Sequence, residues 1–150
     1  FEAFSPRVRG WLDQVEDPWL WGLFRHKVAE SWVRPIGQCG VAILGDAAHP
    51  TLPFLAQGAS MGLEDAWVLA QSLATHDTVA AALSAYQSRR KPRTTRIVAA
   101  ANANARAYHL AGLPRMIGHT GLRLLGRLSP GTMLSRFDWL YGHDVTQGGT

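Results

Sequence analysis

The stretch Gly40–Gly62, GVAILGDAAHPTLPFLAQGASMG, decides how this chain of 150 residues is interpreted. It begins with a short run of β-branched and aliphatic residues, Val41 to Leu44, between two glycines. Such a run predicts a strand buried on both faces, as in a parallel sheet covered by helices. A loop containing two prolines follows, and Gly58 opens a segment with helical spacing. We therefore expect a strand, a loop and a helix of an α/β fold.

The same stretch should place three kinds of group around one cavity. Asp46 follows the expected strand, where its carboxylate can accept two hydrogen bonds from a diol. Gly58 allows a ligand close to the backbone, and the unpaired amides of residues 59–61 point outward with the positive end of the helix dipole. Together these groups suit a polyhydroxylated, anionic or electron-rich ligand. Taken alone, Asp46 is explained more simply as a turn-forming or helix-capping aspartate.

Patterns elsewhere predict a mostly helical chain. We expect an amphipathic helix over residues 5–16, with Ser5 as its N-cap, that ends before Pro18, and then a half-buried strand in WLWGLFRHKV, residues 19–28. Pro35 and Gly37 should break the chain. Four further helices are predicted over about 59–74, from 77 to the basic segment Arg89–Arg93 with Asp77-Thr78 as the cap, over 94–110, and over 116–128. The first of these four should be largely buried, Pro92 should end the second, and the aromatic tail FDWLYGHD should dock on the body.

Composition excludes several classes of protein. The chain is 47% hydrophobic and 17% charged, typical of a globular domain, and its net charge of +4 favours anionic ligands without identifying one. A single cysteine, Cys39, excludes an internal disulfide framework and fits a reducing compartment, so we expect the cytoplasm. We find neither a membrane-spanning run nor a signal peptide. Phe1 is not a start methionine, and FEAFSPRV is typical of the inside of a longer chain, so we expect a fragment or a processed piece.

Residues 45–73, GDAAHPTLPFLAQGASMGLEDAWVLAQSL, closely resemble the second flavin-binding motif of the group A flavoprotein monooxygenases, the p-hydroxybenzoate and salicylate hydroxylase family. The motif elements Gly-Asp-Ala-Ala-His-Pro, Pro53, Gln57-Gly58-Ala59 and Glu64-Asp65-Ala66 all stand at that family's spacing. A weaker likeness covers the rest of the chain, through the aromatic stretch before Trp32, the basic residues 89–96 and the closing WLYGHD. Only residues 40–75 are diagnostic.

The resemblance implies the C-terminal portion of a p-hydroxybenzoate-hydroxylase-like FAD-binding fold, mostly helical with a few strands. Residues 1–35 would finish the substrate-binding domain, residues 36–76 would be the flavin-contacting part of the FAD domain, and residues 77–150 would be the helical C-terminus. Asp46 would bond the ribityl hydroxyls of FAD, and Pro53 would lie beside the flavin ring. Backbone amides at residues 58–60 would face its N1 and O2 edge. The implied cofactor-binding residues are Asp46, Pro53, Gln57, Gly58, Ala59 and Ser60.

The resemblance also implies a reaction and its partners. An FAD-dependent enzyme of this family uses NAD(P)H and oxygen to hydroxylate a phenolic or salicylate-like ring. This chain has no Gly-x-Gly-x-x-Gly after a strand and no central Asp-Gly segment, and the catalytic residues are not identified within it. It should therefore need an N-terminal FAD-binding portion, from the same protein or another chain, and should be inactive alone. A homodimer is compatible with this interpretation.

The sequence allows two other interpretations of the whole chain. One is a non-catalytic flavoprotein fragment or interaction module whose FAD-binding half comes from another chain. The other is a serine hydrolase, because residues 58–62 fit Gly-x-Ser-x-Gly, with Ser60 as nucleophile and Asp138 and His143 as partners. That motif needs a strand running directly into its first glycine, and the expected strand ended at Gly45.

Simpler roles are expected for the remaining conspicuous residues. His49 could act as a base but fits better as a loop histidine bonded to backbone, and no spacing among the six histidines suggests a metal site. Glu64 and Asp65 should cap or pair near the helix start. Cations at a helix end before Pro92 explain Arg89–Arg93 without nucleic acid. The tryptophans of the first 32 residues could line an aromatic pocket, although packing is their commoner use.

Overall fold

The computed structural model of the chain describes residues 2–129, 131 and 135–147. Helices dominate this part, with one two-stranded sheet. In chain order the elements are α1 (Pro6–Leu12), β1 (Val33–Ile36), β2 (Cys39–Ala42), α2 (Gly58–Thr75), α3 (Val79–Tyr108), α4 (Gly112–Leu128) and α5 (Asp138–Tyr141). Two short 3-10 turns, Gly45–Ala47 and Pro53–Leu55, lie between β2 and α2. The prediction of a mostly helical chain with a few strands is confirmed to that extent.

The expected buried parallel strand is instead half of an antiparallel hairpin. β2 pairs with β1 from Val33 opposite Ala42 to Ile36 opposite Cys39. Gly37 has φ 58° at the first of the two turn residues, which matches the Gly-first turn that hairpins favour. The prediction of a strand buried on both faces of a parallel sheet is wrong for the described residues. Val41 is exposed, and the sheet in this part of the chain has only two strands.

The predicted strand over residues 19–28 is also absent. These residues have no regular secondary structure, and Trp19 is 86% exposed. A strand is stable only when a neighbouring strand satisfies its backbone groups, and the described residues offer none here. α1 begins as predicted, with the Ser5 hydroxyl accepting from the Val8 amide, but it ends at Leu12 rather than near residue 16.

The two helices predicted on either side of Pro92 form one helix, α3, of 30 residues. Thr78 caps it as expected, its hydroxyl accepting from the amide of Ala81 at 3.2 Å. Pro92 lacks an N–H and disfavours a helix interior by about 3 kcal/mol, which is why a helix end was predicted there. Contacts with α2 from Arg90 and Arg93, on both sides of the proline, outweigh that local preference.

α2 and α3 pack together and carry most of the core. One cluster of buried side chains joins the Pro53–Leu55 turn to both helices and α5, and comprises Leu55, Met61, Ile97, Ala101 and Leu140. A second cluster, under the hairpin, comprises Trp32, Ala48, Val68 and Tyr86. The predicted docking of the aromatic tail is confirmed for α5, because Leu140 is buried and the Trp139 ring lies 3.8 Å from the Arg96 guanidinium.

Two helices bury less than their apolar patterns predicted. In α2 the apolar Leu63 is 74% exposed, whereas the charged Asp65 is fully buried, so the expectation of a largely buried helix is wrong. α4 begins at Gly112 rather than Met116 and buries none of its residues. No helix in the described part of the chain is both long and apolar enough to cross a bilayer.

Candidate functional site

Asp46 lies in a 3-10 turn rather than at the end of a strand. β2 ends at Ala42, and the Gly45–Ala47 turn follows with Gly45 at φ 58°, a conformation that glycine adopts without strain. The carbonyl of Gly45 accepts from the amides of Ala48 and His49, both at 2.9 Å. This closed turn leaves Asp46 exposed. The carboxylate is therefore available to a ligand, although the predicted core strand does not present it.

The Gly45–Ala47 turn lies directly on α2. A Cβ added to Gly62, in the second turn of that helix, would stand 3.8 Å from the Cα of Gly45. Because neither glycine carries a side chain, the two backbones approach closely with nothing between them. The sequence predicted that Asp46 and the start of α2 face one space, and this contact brings their backbones together.

The first turn of α2 has unused hydrogen-bond donors. Gln57 is the N-cap residue, its side chain makes no capping bond, and the turn contains no acidic residue. The amide of Met61 is the first to bond within the helix, donating to the carbonyl of Gln57 at 2.9 Å. The amides of residues 58–60 therefore have no intrahelical acceptor, and Ala59 and Ser60 are exposed. Such a helix start attracts an anionic or electron-rich group.

The Pro53–Leu55 turn lies in sequence between the Gly45–Ala47 turn and the start of α2, and contacts with the core hold it in place. Leu55 is buried in the core, and its carbonyl accepts from the Tyr141 hydroxyl at 3.3 Å. Phe54 stacks on Tyr108 with ring centroids 5.7 Å apart. These contacts leave Pro53 exposed. Five of the six predicted site residues thus have exposed or half-exposed positions along one loop and helix start, whereas Gln57 is buried.

A buried carboxylate beneath this loop was missed by the sequence analysis as part of the site. Oδ2 of Asp65 accepts from the Gly45 amide at 3.0 Å and contacts Nε2 of His49 at 2.5 Å, while Oδ1 accepts from Nε of Arg90 at 2.8 Å. His49 was expected to bond backbone. That expectation is wrong, because its side chain is buried against Asp65 and the Trp32 ring, 5.2 Å away.

Glu64 extends this charged cluster to α5. Its carboxylate contacts Arg90 at 2.6 Å and accepts two bonds from Arg93, at 2.8 and 2.9 Å. Arg93 also donates to the carbonyls of Trp139 and Leu140. The prediction that Glu64 and Asp65 form ion pairs is confirmed, since both carboxylates contact arginines of α3. The interpretation of Arg89–Arg93 as cations at a helix end is wrong, since α3 continues and Arg90 is only 2% exposed.

The pKa values of both carboxylates lie below their ordinary values. Burial alone would raise the pKa of Asp65, but hydrogen bonds from His49, Arg90 and the Gly45 amide outweigh it. Burial likewise opposes the effect of Arg90 and Arg93 on Glu64, whose net pKa is also lowered. Burial raises the pKa of Tyr86 well above its ordinary value, so its hydroxyl stays protonated and donates to the Ile43 carbonyl at 3.0 Å.

A loss of stability in acid follows from these lowered pKa values. A carboxyl group whose pKa is lower in the folded chain stabilises the fold above its unfolded value, and that contribution disappears as pH falls through the folded value. For Asp65 and Glu64 the loss should begin near their ordinary values of 3.8 and 4.5 and grow at lower pH. Urea unfolding of the wild type and of Asp65→Asn between pH 3 and 7 tests this. The variant should lose less stability with acid, and equal slopes would contradict the prediction.

In the described part of the chain, the features required by a serine hydrolase or by a metal site are not assembled. Ser60 is the third residue of α2 and follows a 3-10 turn rather than a strand, so the nucleophile-elbow geometry is absent there. Within residues 2–129, 131 and 135–147, no three histidine, cysteine or acidic side chains are grouped to hold a metal ion. Two open depressions lie beside Lys91 and Thr95 on α3, and neither is lined by Asp46 or by the start of α2.

Comparison with known proteins gives a consistent set of matches. A family model described as "FAD binding domain" matches residues 22–101. The chain is 37% identical over 147 residues to 3-hydroxybenzoate 6-hydroxylase of Klebsiella oxytoca, covering 95% of this chain and 34% of that protein. It is 34% identical over 149 residues to salicylate hydroxylase of Pseudomonas putida, covering 97% of this chain and 32% of that protein.

A third relative is also named as an enzyme that acts on a hydroxybenzoate. The chain is 32% identical over 152 residues to 3-amino-4-hydroxybenzoate 2-monooxygenase PtnB3 of Streptomyces platensis, which covers 100% of this chain and 36% of that protein. The chain thus spans about a third of the length of these curated relatives.

Proposed function

The chain belongs to the FAD binding domain family, and from that premise we propose that it is the flavin-contacting, C-terminal part of an FAD-dependent aromatic monooxygenase. The names of the three relatives support this proposal, because each is a hydroxylase or monooxygenase of a hydroxylated benzoate. We propose a small phenolic or salicylate-like acid as the substrate, with NAD(P)H as the source of electrons.

One observation carries the proposal. The exposed carboxylate of Asp46 lies on a turn packed against α2, whose first-turn amides have no acceptor within the helix. FAD has a polyhydroxylated ribityl chain next to an electron-rich ring edge. An acceptor carboxylate beside unused amide donors fits those two neighbouring parts of the cofactor. The residues present therefore fit FAD.

Each predicted site residue has a proposed role when FAD is bound. Asp46 accepts hydrogen bonds from the ribityl hydroxyls, and the amides of residues 58–60 donate to the N1 and O2 edge, where the helix dipole favours negative charge. Pro53 lies beside the ring, and the buried Leu52 behind it limits the entry of water. Gln57 places the helix start. The flavin supplies electron transfer and oxygen activation, and no catalytic residue of this chain is assigned.

The division of the chain and its partners are further parts of the proposal. We assign residues 1–35 to the substrate-binding domain, residues 36–76 to the flavin contact and residues 77–150 to the helical C-terminus. The β1–β2 hairpin spans residues 33–42 and thus crosses the first boundary. The remaining FAD-binding portion comes from the same protein or another chain. A cytoplasmic location and a homodimer stay predictions.

Reconstitution tests the proposed function directly. The 150-residue chain is expressed together with the part of the Klebsiella oxytoca relative that lies outside the matched region, and the purified assembly is examined for a flavin absorption spectrum. We expect bound FAD and substrate-stimulated oxidation of NAD(P)H with hydroxylation of 3-hydroxybenzoate or salicylate. Association without flavin would instead favour the interaction module. Labelling of Ser60 by a serine-directed acylating reagent would favour the hydrolase.

Asp46→Asn should weaken FAD binding by the assembly about 10- to 100-fold, because hydrogen bonds to a charged group contribute about 1.5–3 kcal/mol. The measurement is a titration of FAD fluorescence with wild-type and variant assemblies. Asp77→Asn is the matched control, since Asp77 is also exposed but precedes α3 rather than α2. An Asp46→Asn affinity equal to that of the control would contradict the assigned role.

A further inference from the structure

We propose that Asp65 is a positioning residue for the flavin site, and that its buried carboxylate orients Asp46 by holding Gly45 and His49, the residues that flank it on either side. The inference rests on the proposed function, since it assigns a second residue to the same flavin contact. Asp65 is fully buried and does not face the proposed ligand, so it can act only through the turn.

The geometry of the turn supports this role. Gly45 and His49 flank the segment that contains Asp46, and the His49 amide donates to the Gly45 carbonyl at 2.9 Å. One oxygen atom, Oδ2 of Asp65, contacts both flanking residues, through the Gly45 amide at 3.0 Å and the His49 ring at 2.5 Å. The residues on both sides of Asp46 are therefore tied to a single point on α2, Gly45 through its backbone amide and His49 through its side chain.

That point is itself fixed. Oδ1 of Asp65 accepts from Nε of Arg90 at 2.8 Å, so both carboxylate oxygens are engaged and the group has no free rotation. Arg90 is held in turn by Glu64 on the same helix as Asp65. The fixed carboxylate makes the turn a rigid support, as precise ligand positioning requires.

The stability of the fold alone does not require a buried ion pair between Asp65 and Arg90. Buried ion pairs can often be replaced by apolar side chains of similar volume with no loss of stability. Here the donors to Asp65 instead include both flanks of the turn next to the uncapped start of α2. The Asp65 carboxylate thus links the turn that contains Asp46 to α2, and the proposed FAD contact uses both.

A double-mutant cycle on the reconstituted assembly tests the inference. FAD affinity is measured for wild type, Asp65→Asn, Asp46→Asn and the double variant. If Asp65 acts through Asp46, Asp65→Asn should weaken binding about tenfold when Asp46 is present and only slightly when it is replaced, because coupled residues are non-additive. A general loss of structure would reduce affinity equally in both backgrounds. Asp17→Asn replaces an exposed residue and should leave FAD affinity unchanged in both Asp46 backgrounds.

A milder variant covers the case in which Asp65→Asn does not fold. His49→Phe keeps a ring of similar size in the buried site, removes one tie to Asp65 and leaves the Asp65–Arg90 pair in place. It should weaken FAD binding in the same coupled manner, but less. Amide hydrogen exchange of the chain should also show faster exchange at Gly45 in Asp65→Asn, because that variant replaces the carboxylate that accepts from the Gly45 amide. This measurement reports on the contact between Asp65 and Gly45 independently of FAD binding.

The outcomes separate the two proposals. A wild-type assembly that binds no FAD overturns the proposed function, and the role of Asp65 with it. A wild-type assembly that binds FAD, with equal losses in both Asp46 backgrounds, overturns only the inference. Unchanged exchange at Gly45 in Asp65→Asn also overturns the inference. Coupled losses with faster exchange at Gly45 support it.

Discussion

Arg90→Ala should lower the free energy of unfolding of the chain by about 3–5 kcal/mol, because it removes the arginine partner of the buried Asp65 carboxylate. Arg90 is 2% exposed and contacts Asp65 at 2.8 Å and Glu64 at 2.6 Å. Its removal would leave Asp65 with only His49 and the Gly45 amide. Urea unfolding followed by circular dichroism at pH 7 gives the change in free energy.

Arg89→Ala is the matched control for this prediction. Arg89 is the adjacent residue of α3 and is exposed, with its guanidinium donating to Oε1 of Gln71 at 2.8 Å. A surface contact of this kind contributes about 1 kcal/mol or less, so the control should stay close to wild type. If the two variants lost similar amounts, the prediction that loss of Arg90 leaves a costly uncompensated charge at Asp65 would be contradicted.

Trp32→Ala should lower the free energy of unfolding by about 3–5 kcal/mol through loss of a large core side chain. Trp32 is 1% exposed, and its ring lies 5.2 Å from His49 and 5.9 Å from Tyr86. Its indole N–H donates to the Ala29 carbonyl at 3.0 Å, which joins the residues before the hairpin to the core. Thermal or urea unfolding measures the loss.

Trp19→Ala provides the comparison within the same tryptophan-rich region. Trp19 is 86% exposed in the described structure, so its replacement should change stability by about 0.5 kcal/mol or less. The sequence left open whether these tryptophans form core or an aromatic pocket. For Trp32 the structure shows core packing. A Trp32→Ala variant as stable as Trp19→Ala would contradict that conclusion.

Local signals in the sequence predicted several elements well. Ser5 and Thr78 cap α1 and α3 as expected, because N-cap chemistry depends on residues within one helical turn. The start of α2 was predicted within one residue, since a loop with two prolines and Gly58 marks it. The tail docked as expected because packing on the core removes Leu140, and part of Phe137 and Trp139, from water.

Interactions between distant residues were not predictable in this way. Asp65 and Arg90 are 25 positions apart, and no local pattern shows that they meet. The same contact explains the error at Pro92, where a local helix-breaking preference lost to tertiary ion pairs on both sides. The hairpin, by contrast, had a signal in Gly37-Gln38 between two short extended runs, and the sequence analysis interpreted it only as a break.

The site residues came from a resemblance, and the structure adds their arrangement. Asp46 and the start of α2 were expected to share one face, and the contact between Gly45 and Gly62 provides a physical reason. The strand that was to present Asp46 is replaced by a turn held on Asp65. The sequence alone could not distinguish a strand end from a turn as the support of Asp46, because both place this residue at the beginning of the same loop.

The most direct test of the account is a crystal structure of the reconstituted assembly with FAD. We expect the Asp46 carboxylate within hydrogen-bond distance of the ribityl hydroxyls, and the amides of residues 58–60 facing the N1 and O2 edge of the ring. A flavin bound elsewhere, with Asp46 in solvent and the first turn of α2 unoccupied, would contradict the central claim.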